Sequence, residues 1–435
     1  MFFKQRLRHH AVFRVVSSRY PFESNKSEIG RIVVGVLGSI LGFIVGAAYT
    51  VLLARILSPG SLGGFAALSG VFMTVTIAST AIQVTTSRSV AFSEISNTEQ
   101  PRSTTWTVQV LCVGALASVI WSIASISFAE LLNLTFLETV SIAPLFIIYP
   151  ALAISLGKLH GSGRTTAWTL LGLLGSVSRL LFVGITALFT GSIFALNIAL
   201  TSSFLVLLVV TAAFSRKTKT PPIRFGSRPF LVSLLTLGVF AVLSNIDIVL
   251  ARMTLESTKS GQYAIISNFT KTCANLLGIL GTLLFPKLAI VRRTSRSINS
   301  FVRQIILVAT VFSILLALPI YYFGRLSIVP IFGSEYKSLL THLGLASITF
   351  VPWTGVYVAV YCRLVESTWR LALLLITNTI ISLFLIFYLV VDIQSMLLVY
   401  GLTGSFSLLT LLLVPTHNAS GTPLPNRTAL TNTFN

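Results

Sequence analysis

The sequence predicts an all-helical integral membrane protein with about twelve transmembrane helices in two parallel lobes of six. Three observations support this: the composition, a series of apolar runs and an internal repeat. Of the 435 residues, 54% are hydrophobic and 10% are charged, and the mean hydropathy is +0.89. A soluble core of this length could not bury so much apolar surface, so the chain must lie in a bilayer.

The twelve apolar runs are long enough to cross a hydrocarbon layer about 30 Å thick, which takes roughly 20 helical residues. We expect helices because lipid offers no partner for an unpaired backbone amide, and because the runs lack the alternation of barrel strands. In the first half the predicted spans are 31–54, 62–92, 105–129, 138–157, 168–189 and 192–214. In the second half they are 229–251, 262–285, 304–323, 338–361, 371–391 and 394–415.

The internal repeat covers the first two spans of each half, and its matched positions align without a gap. A set of positions recurs 197 residues later: Leu53–Arg55, Gly64 and Ala67 become Leu250–Arg252, Gly261 and Ala264. Six spans return the chain to its starting side, so the two halves have the same orientation. They are therefore predicted to be related by a pseudo-two-fold axis along the membrane normal.

The repeat and the polar stretches between spans predict five regions. The most polar internal stretch contains a double proline, Pro221 and Pro222, and is expected to link the lobes. The predicted regions are a cytoplasmic basic arm over 1–30, a first lobe over 31–215, a cytoplasmic linker over 216–228, a second lobe over 229–415 and a cytoplasmic tail over 416–435.

The chain is strongly basic, with a formal net charge of +20. Most lysines and arginines fall in segments on one predicted side of the membrane. The exceptions are Arg55, Arg252, Lys259, Arg325 and Lys337 in the predicted outer loops, and Arg179 and Lys271 inside apolar segments. This asymmetry predicts a multi-pass protein of the cytoplasmic (inner) membrane with both termini cytoplasmic. Nucleic-acid binding is not expected, because no basic patch alternates with aromatic side chains on a soluble face.

Three charges inside the apolar segments are candidate functional residues, because each costs roughly 2.5 to 3.5 kcal/mol at a helix centre. Lys271 shares one predicted helix face with Asn268 and Asn275, which gives either a headgroup-binding wall or helix-to-helix hydrogen bonds. Arg179 lies between serines in the fifth span and is a candidate cavity cation. Asp247 is either a proton or sodium site or the ion-pair partner of Lys271.

Arg55 and Arg252 occupy equivalent positions of the repeat at the outer ends of the first and seventh spans. Two pseudo-symmetric cations at one portal would suit a diphosphate. The alternative is that each anchors its helix at the interface or serves as a favourable charge at a helix C-terminus.

The stretch Val51–Phe65 resembles the first-helix signature of the polysaccharide transporter family, the Wzx-type lipid-linked oligosaccharide flippases of the multidrug/oligosaccharidyl-lipid/polysaccharide exporter superfamily. Further landmarks of that family resemble segments of the second half, namely Asn245–Arg252, Gly261–Tyr263, Phe285–Lys287 and Ile331–Tyr336. The resemblance implies a two-lobed, MATE-like transporter that moves an isoprenoid-diphosphate-linked glycan by alternating access, in polysaccharide biosynthesis for the cell envelope.

Two alternatives within that superfamily are a multidrug/cation antiporter, which would be expected to use buried carboxylates, and a lipid II flippase. An enzyme such as a glycan polymerase is not expected, because no outer loop is large enough to carry catalytic residues. No Walker motif occurs, and neither a cofactor nor a metal is predicted. The expected partners are the lipid-linked glycan and membrane lipid, with a glycan polymerase or export proteins left open, and the chain is expected to act as a monomer.

Overall fold

The computed structural model is all-helical over the residues that it describes. These are residues 26–95, 105–216, 218, 223, 227–272, 274, 298–364 and 369–413. The helices of the first half are α1 (Lys26–Ile56), α2 (Pro59–Ile95), α3 (Thr105–Leu131), the short α4 (Phe136–Val140), α5 (Leu145–Gly161), α6 (Thr165–Phe189) and α7 (Ile193–Ser215). Those of the second half are α8 (Arg228–Thr254), α9 (257–272), α10 (Ile298–Phe332), a 3-10 helix (Ser334–Thr341), α11 (Leu343–Arg363), α12 (Trp369–Leu389) and α13 (Ile393–Leu413).

Ten apolar segments of the described chain are long enough to cross a membrane. The helices α1 and α9 fall on the predicted spans 31–54 and 262–285, although the end of the second of these spans lies outside the described residues. The order of the helices therefore agrees with the predicted order of the spans. The fold class is confirmed as all-helical and membrane-spanning.

Several helix ends differ from the predicted ones. Helix α10 runs well beyond the predicted span 304–323 at both ends. The prediction ended at charged residues, whereas Arg325 remains inside the helix, exposed, and donates a hydrogen bond to the Tyr321 hydroxyl at 3.2 Å. Helix α1 likewise begins at Lys26, inside the predicted arm. A charged residue such as Arg325 does not have to terminate a helix, because its long side chain can extend away from the helix axis.

The fourth span of the first half is interrupted, which the sequence analysis did not predict. A capping box begins α4: the Thr135 hydroxyl accepts from the backbone N–H of Glu138 at 3.3 Å, and the Glu138 carboxylate accepts from that of Thr135 at 2.9 Å. Turns over 141–144 then lead into α5. The second half has its 3-10 helix at the matching place, before α11.

The two halves share their internal packing. In each half the first span contacts the fifth, the third contacts the fourth, and the sixth contacts both the fourth and the fifth. These pairs are α1 with α6, α3 with α5, α5 with α7 and α6 with α7 in the first half, and α8 with α12, α10 with α11, α11 with α13 and α12 with α13 in the second. The repeat found in the sequence is therefore also a repeat of helix contacts.

Helix α2 packs extensively against α8, and this contact joins the two halves. Small residues allow the two helices to approach: a Cβ added at Gly70 would lie 3.4 Å from the Asn245 carbonyl oxygen, and one added at Gly238 would lie 4.0 Å from the Ala78 Cβ. We call the end of the bundle where α1 ends and α2 begins the far end, and the opposite end the near end.

At the far end the first turns of α2 and α9 touch backbone to backbone. A Cβ added at Gly63 would lie 2.8 Å from the Gly261 amide nitrogen, and one added at Gly261 would overlap the Pro59 carbonyl oxygen. Gly261 is the repeat equivalent of Gly64. Glycine is required at positions 63 and 261 because the backbones of α2 and α9 leave no room for a methyl group.

Replacing Gly261 with alanine is expected to lower the thermal unfolding midpoint by several degrees, because overpacking at a tight contact costs about 1 to 3 kcal/mol. Gly46→Ala is the matched control, since a Cβ there meets nothing within 4 Å. Alanine should leave the midpoint unchanged or raise it slightly at that helical position. The measurement is the thermal unfolding of both variants in the same detergent, and equal midpoints would contradict the assignment.

Candidate functional site

Lys271 and Asp247 form a buried ion pair in the second half. The Lys271 Nζ lies 2.5 Å from the Asp247 Oδ1, and the two side chains are 8% and 0% exposed. Lys271 lies on α9, 14 residues from its first residue, and Asp247 lies on α8, seven residues before its end. The pair therefore joins the first two helices of the second lobe within the membrane-spanning part of the bundle.

Two hydroxyl groups complete the surroundings of this carboxylate. The Tyr263 hydroxyl and the Ser267 Oγ donate to the Asp247 Oδ2 at 2.8 Å and 2.7 Å. Tyr263, Ser267 and Lys271 follow one another at intervals of four, so one face of α9 directs all three donors to Asp247. Burying an ion pair requires such additional hydrogen bonds, because both charges leave water.

The ammonium group of Lys271 is also packed against an aromatic pair. Its Nζ lies 5.5 Å from the centroid of the Tyr400 ring, a distance at which the ring face attracts a cation. Tyr400 in turn stacks on Trp353, whose Nε1 donates to the Tyr400 carbonyl oxygen at 3.0 Å. The sequence analysis placed Asn268 and Asn275 on the same helix face as Lys271. Asn268 is half-buried on α9, and Asn275 lies outside the described residues.

The first half has no such pair at the equivalent positions. The repeat matches Asp247 with Thr50 and Lys271 with Thr74. Each threonine hydroxyl donates to a carbonyl oxygen of its own helix at 3.2 Å, Thr50 to Gly46 and Thr74 to Gly70. The two lobes thus share their packing but differ in their buried charges.

Arg179 lies near the middle of a membrane-spanning helix of the first half, and its hydrogen bonds are long. Its Nε lies 3.4 Å from the Gly175 carbonyl oxygen, and one terminal nitrogen lies 3.5 Å from the Ser176 Oγ, both on its own helix α6. Two ion pairs join described residues, Lys259 with Glu256 and Lys271 with Asp247, and Arg179 belongs to neither. Its half-buried guanidinium therefore has hydrogen-bonding capacity to spare.

A cluster of aromatic side chains lies beside this guanidinium. Its central carbon lies 5.7 Å from the centroid of the Phe204 ring, and the rings of Phe204, Phe72 and Tyr149 contact one another at centroid distances of 5.0 to 5.6 Å. Tyr49 and Tyr149 lie within electrostatic range of Arg179. The sequence analysis identified Arg179 but not these residues, because single aromatic residues in apolar helices carry no spacing signal.

The remaining two candidates, Arg55 and Arg252, lie at the far end, and both bond to the opposite half. The Arg55 Nε donates to the Ile331 carbonyl oxygen at 2.6 Å, and a terminal nitrogen donates to that of Pro330. The Arg252 Nε donates to the Leu132 carbonyl oxygen at 2.9 Å. The structure thus brings Lys271 together with Asp247, and separately links each far-end arginine to the other lobe.

Comparisons with known proteins identify the fold. No family model and no curated protein matches the sequence. Among solved structures, an inward-facing multidrug resistance MATE family transporter of the MOP superfamily matches with a TM-score of 0.63 at 13% identity, covering 86% of this chain and 93% of that one. A MOP superfamily transporter from Pyrococcus furiosus, whose binding pocket is described as having reverse polarity, matches with a TM-score of 0.62 at 16% identity, covering 88% and 94%.

The lipid II flippase MurJ in an inward closed conformation matches with a TM-score of 0.63 at 12% identity, covering 87% of each chain. These similarities extend over nearly the whole chain, and they are structural rather than sequence similarities. The chain therefore has the fold of the MOP superfamily transporters.

Proposed function

We propose that this protein is a flippase that translocates an isoprenoid-diphosphate-linked oligosaccharide precursor across the cytoplasmic membrane by alternating access. The observation that carries the proposal is Arg179, a cation at the middle of α6 with no ion-pair partner among the described residues. Such a charge costs free energy within the membrane, which indicates a functional reason for its presence, and a half-buried cation with spare donors is suited to an anionic ligand.

The chemistry of the proposed ligand matches these donors. An isoprenoid diphosphate carries about two negative charges and oxygen atoms that a guanidinium can bind in a bidentate manner. The Arg179 contacts at 3.4 and 3.5 Å are long for hydrogen bonds, so they can be exchanged for phosphate oxygens at small cost. Hydroxyl groups of Tyr49 and Tyr149 in the same region can bind polar groups of the cargo.

The ion pair of the second lobe supports a flippase over a cation antiporter. An antiporter for cations needs a carboxylate that its cargo or coupling ion can reach. Asp247 is fully buried and bound by Lys271, Tyr263 and Ser267. A lipid II flippase would bind the same diphosphate, so the two flippase readings differ in the glycan and are distinguished by experiment.

Reconstitution of the purified protein in liposomes tests this proposal. The probe is a short-chain isoprenoid diphosphate carrying a fluorescently labelled oligosaccharide, and its exposure on the outer leaflet is read from quenching by a membrane-impermeant reductant. We expect the protein to accelerate the loss of protected fluorescence over protein-free liposomes. Movement of a fluorescent organic cation without movement of the lipid would overturn the proposal in favour of an antiporter, and movement of a labelled lipid II alone would assign the other flippase.

In cells, deletion of the gene is expected to leave lipid-linked glycan on the cytoplasmic face while its synthesis continues. The measurement is the fraction of extracted glycan lipid that is protected from an externally added, membrane-impermeant glycosidase in spheroplasts. Unchanged export in a deletion strain that has no second flippase would contradict the proposed function.

A further inference from the structure

Two arginines at the far end connect the halves in a symmetric manner. Arg55 lies in the last turn of α1, the first span of the first half. It donates hydrogen bonds to carbonyl oxygens in the last turn of α10, the third span of the second half. Arg252 lies near the end of α8, the first span of the second half. It bonds to the carbonyl oxygens of Leu132 and Asn133, just after α3, the third span of the first half, at 2.9 and 3.3 Å.

These acceptors are a good match for a cation. The last carbonyl groups of an α-helix have no intrahelical donor, and they carry the negative end of the helix macrodipole. Hydrogen bonds from a charged donor are stronger than those between neutral groups. The Arg55 guanidinium therefore binds the C-terminal end of α10, and the Arg252 guanidinium binds carbonyl groups of the turn that directly follows α3, in each case a segment of the opposite half.

Arg252 makes further contacts at the same junction, with residues of both halves. One of its terminal nitrogens donates to the Gly60 carbonyl oxygen, on α2 of the first half, at 3.3 Å and to the Ser260 Oγ, on α9 of its own half, at 3.3 Å. The carboxylate of Glu138, on α4 of the first half, attracts the same guanidinium. Arg252 is 6% exposed, whereas Arg55 is exposed, so the two links differ in how easily water can replace them.

We propose that Arg55 and Arg252 form a two-point closure that holds the far end of the transporter shut, and that opening this end requires both links to break. The far-end backbone contact between α2 and α9 lies at the same level and must separate in the same movement. The proposal concerns the conformational equilibrium of the protein without cargo. It therefore stands or falls independently of the transported substrate.

Spin-label distances across the far end test the closure. The labels are placed at Ser192→Cys in the α6–α7 loop and Val391→Cys in the α12–α13 loop, both exposed, after replacement of the three native cysteines. Pulsed dipolar spectroscopy on the protein in lipid nanodiscs then reports the distance between the two halves. We expect one short-distance population in the parent protein.

Arg55→Gln should add a longer-distance population, raising the ratio of open to closed protein about tenfold, which corresponds to ~1.4 kcal/mol. Adding Arg252→Gln should raise the ratio of open to closed protein further. Arg55→Lys should show a closed population between those of the parent and Arg55→Gln, because lysine keeps the positive charge but lacks the planar guanidinium that binds two carbonyl oxygens. Arg55 is exposed, so the single variant is expected to fold even where Arg252→Gln does not. Thermal unfolding of each variant verifies this.

Arg325→Gln is the matched control, because Arg325 lies on α10, is exposed, and bonds within its own helix. An unchanged distance distribution in Arg55→Gln and in the double variant would overturn the proposal. The same opening in Arg325→Gln would also overturn it, since the effect would then reflect charge at this surface rather than the two links.

Discussion

Replacing Arg179 with glutamine is expected to lower the flipping rate at least about tenfold, because a hydrogen bond to a charged group contributes roughly 1.5 to 3 kcal/mol to binding. The amount of folded protein should not fall. Arg179 has no ion pair to lose among the described residues, and removing an intramembrane charge eases insertion. The measurement is probe flipping in liposomes, normalised to the reconstituted protein.

Two further variants separate binding from structure at this position. Arg179→Lys keeps the charge but loses the bidentate fork, so it should retain an intermediate rate. Arg325→Gln removes an exposed arginine of the far end and should flip the probe at the parent rate. Wild-type flipping in Arg179→Gln would exclude Arg179 from cargo binding.

Asp247→Asn is expected to destabilise the protein by about 3 to 5 kcal/mol, the cost of leaving a buried charge without its partner. Lys271→Gln should cost less. In Lys271→Gln the carboxylate keeps the two hydroxyl donors of Tyr263 and Ser267, whereas in Asp247→Asn the ammonium keeps only a neutral amide oxygen and the Tyr400 ring and has no opposite charge. The double variant should recover much of the lost stability, because neither charge remains.

The three variants form a double-mutant cycle, read from thermal unfolding and from flipping of the same preparations. Thr74→Val, at the repeat equivalent of Lys271, is the control and should change stability by less than about 1.5 kcal/mol, since it removes one hydrogen bond within its own helix. A double variant that is folded but still inactive would assign Lys271 a role in cargo binding. Additive destabilisation would contradict the coupling of the pair.

The fold could be predicted from the sequence because each span is an apolar run of the required length. Helix ends were less predictable. The Thr135–Glu138 capping box is hidden at the edge of an apolar run, and Arg325 does not end α10, because its side chain leaves the helix for water. Burial of apolar area determines which segments cross the membrane, while local hydrogen bonds determine where each helix begins.

The candidate site could be predicted only in part. Intramembrane charges identify Arg179, Asp247 and Lys271, because such residues are rare. The sequence analysis offered Lys271 as a partner of Asp247, but it did not use the four-residue spacing of Tyr263, Ser267 and Lys271, which could have identified the two hydroxyl donors. The far-end partners of Arg55 and Arg252 are backbone carbonyl groups, which every residue carries, so no residue type could reveal them.

Under the proposed function, the difference in charge between the lobes determines how a membrane voltage would act on transport. The Lys271–Asp247 pair is neutral as a unit, so it contributes nothing when it moves. Arg179 carries one positive charge, and its complex with a diphosphate carries about one negative charge. Moving one elementary charge through 100 mV is equivalent to about 2.3 kcal/mol. With the cell interior negative, the proposed diphosphate complex of Arg179 would be driven outward and the unloaded Arg179 would be drawn back inward, so both halves of the proposed cycle would proceed down the voltage.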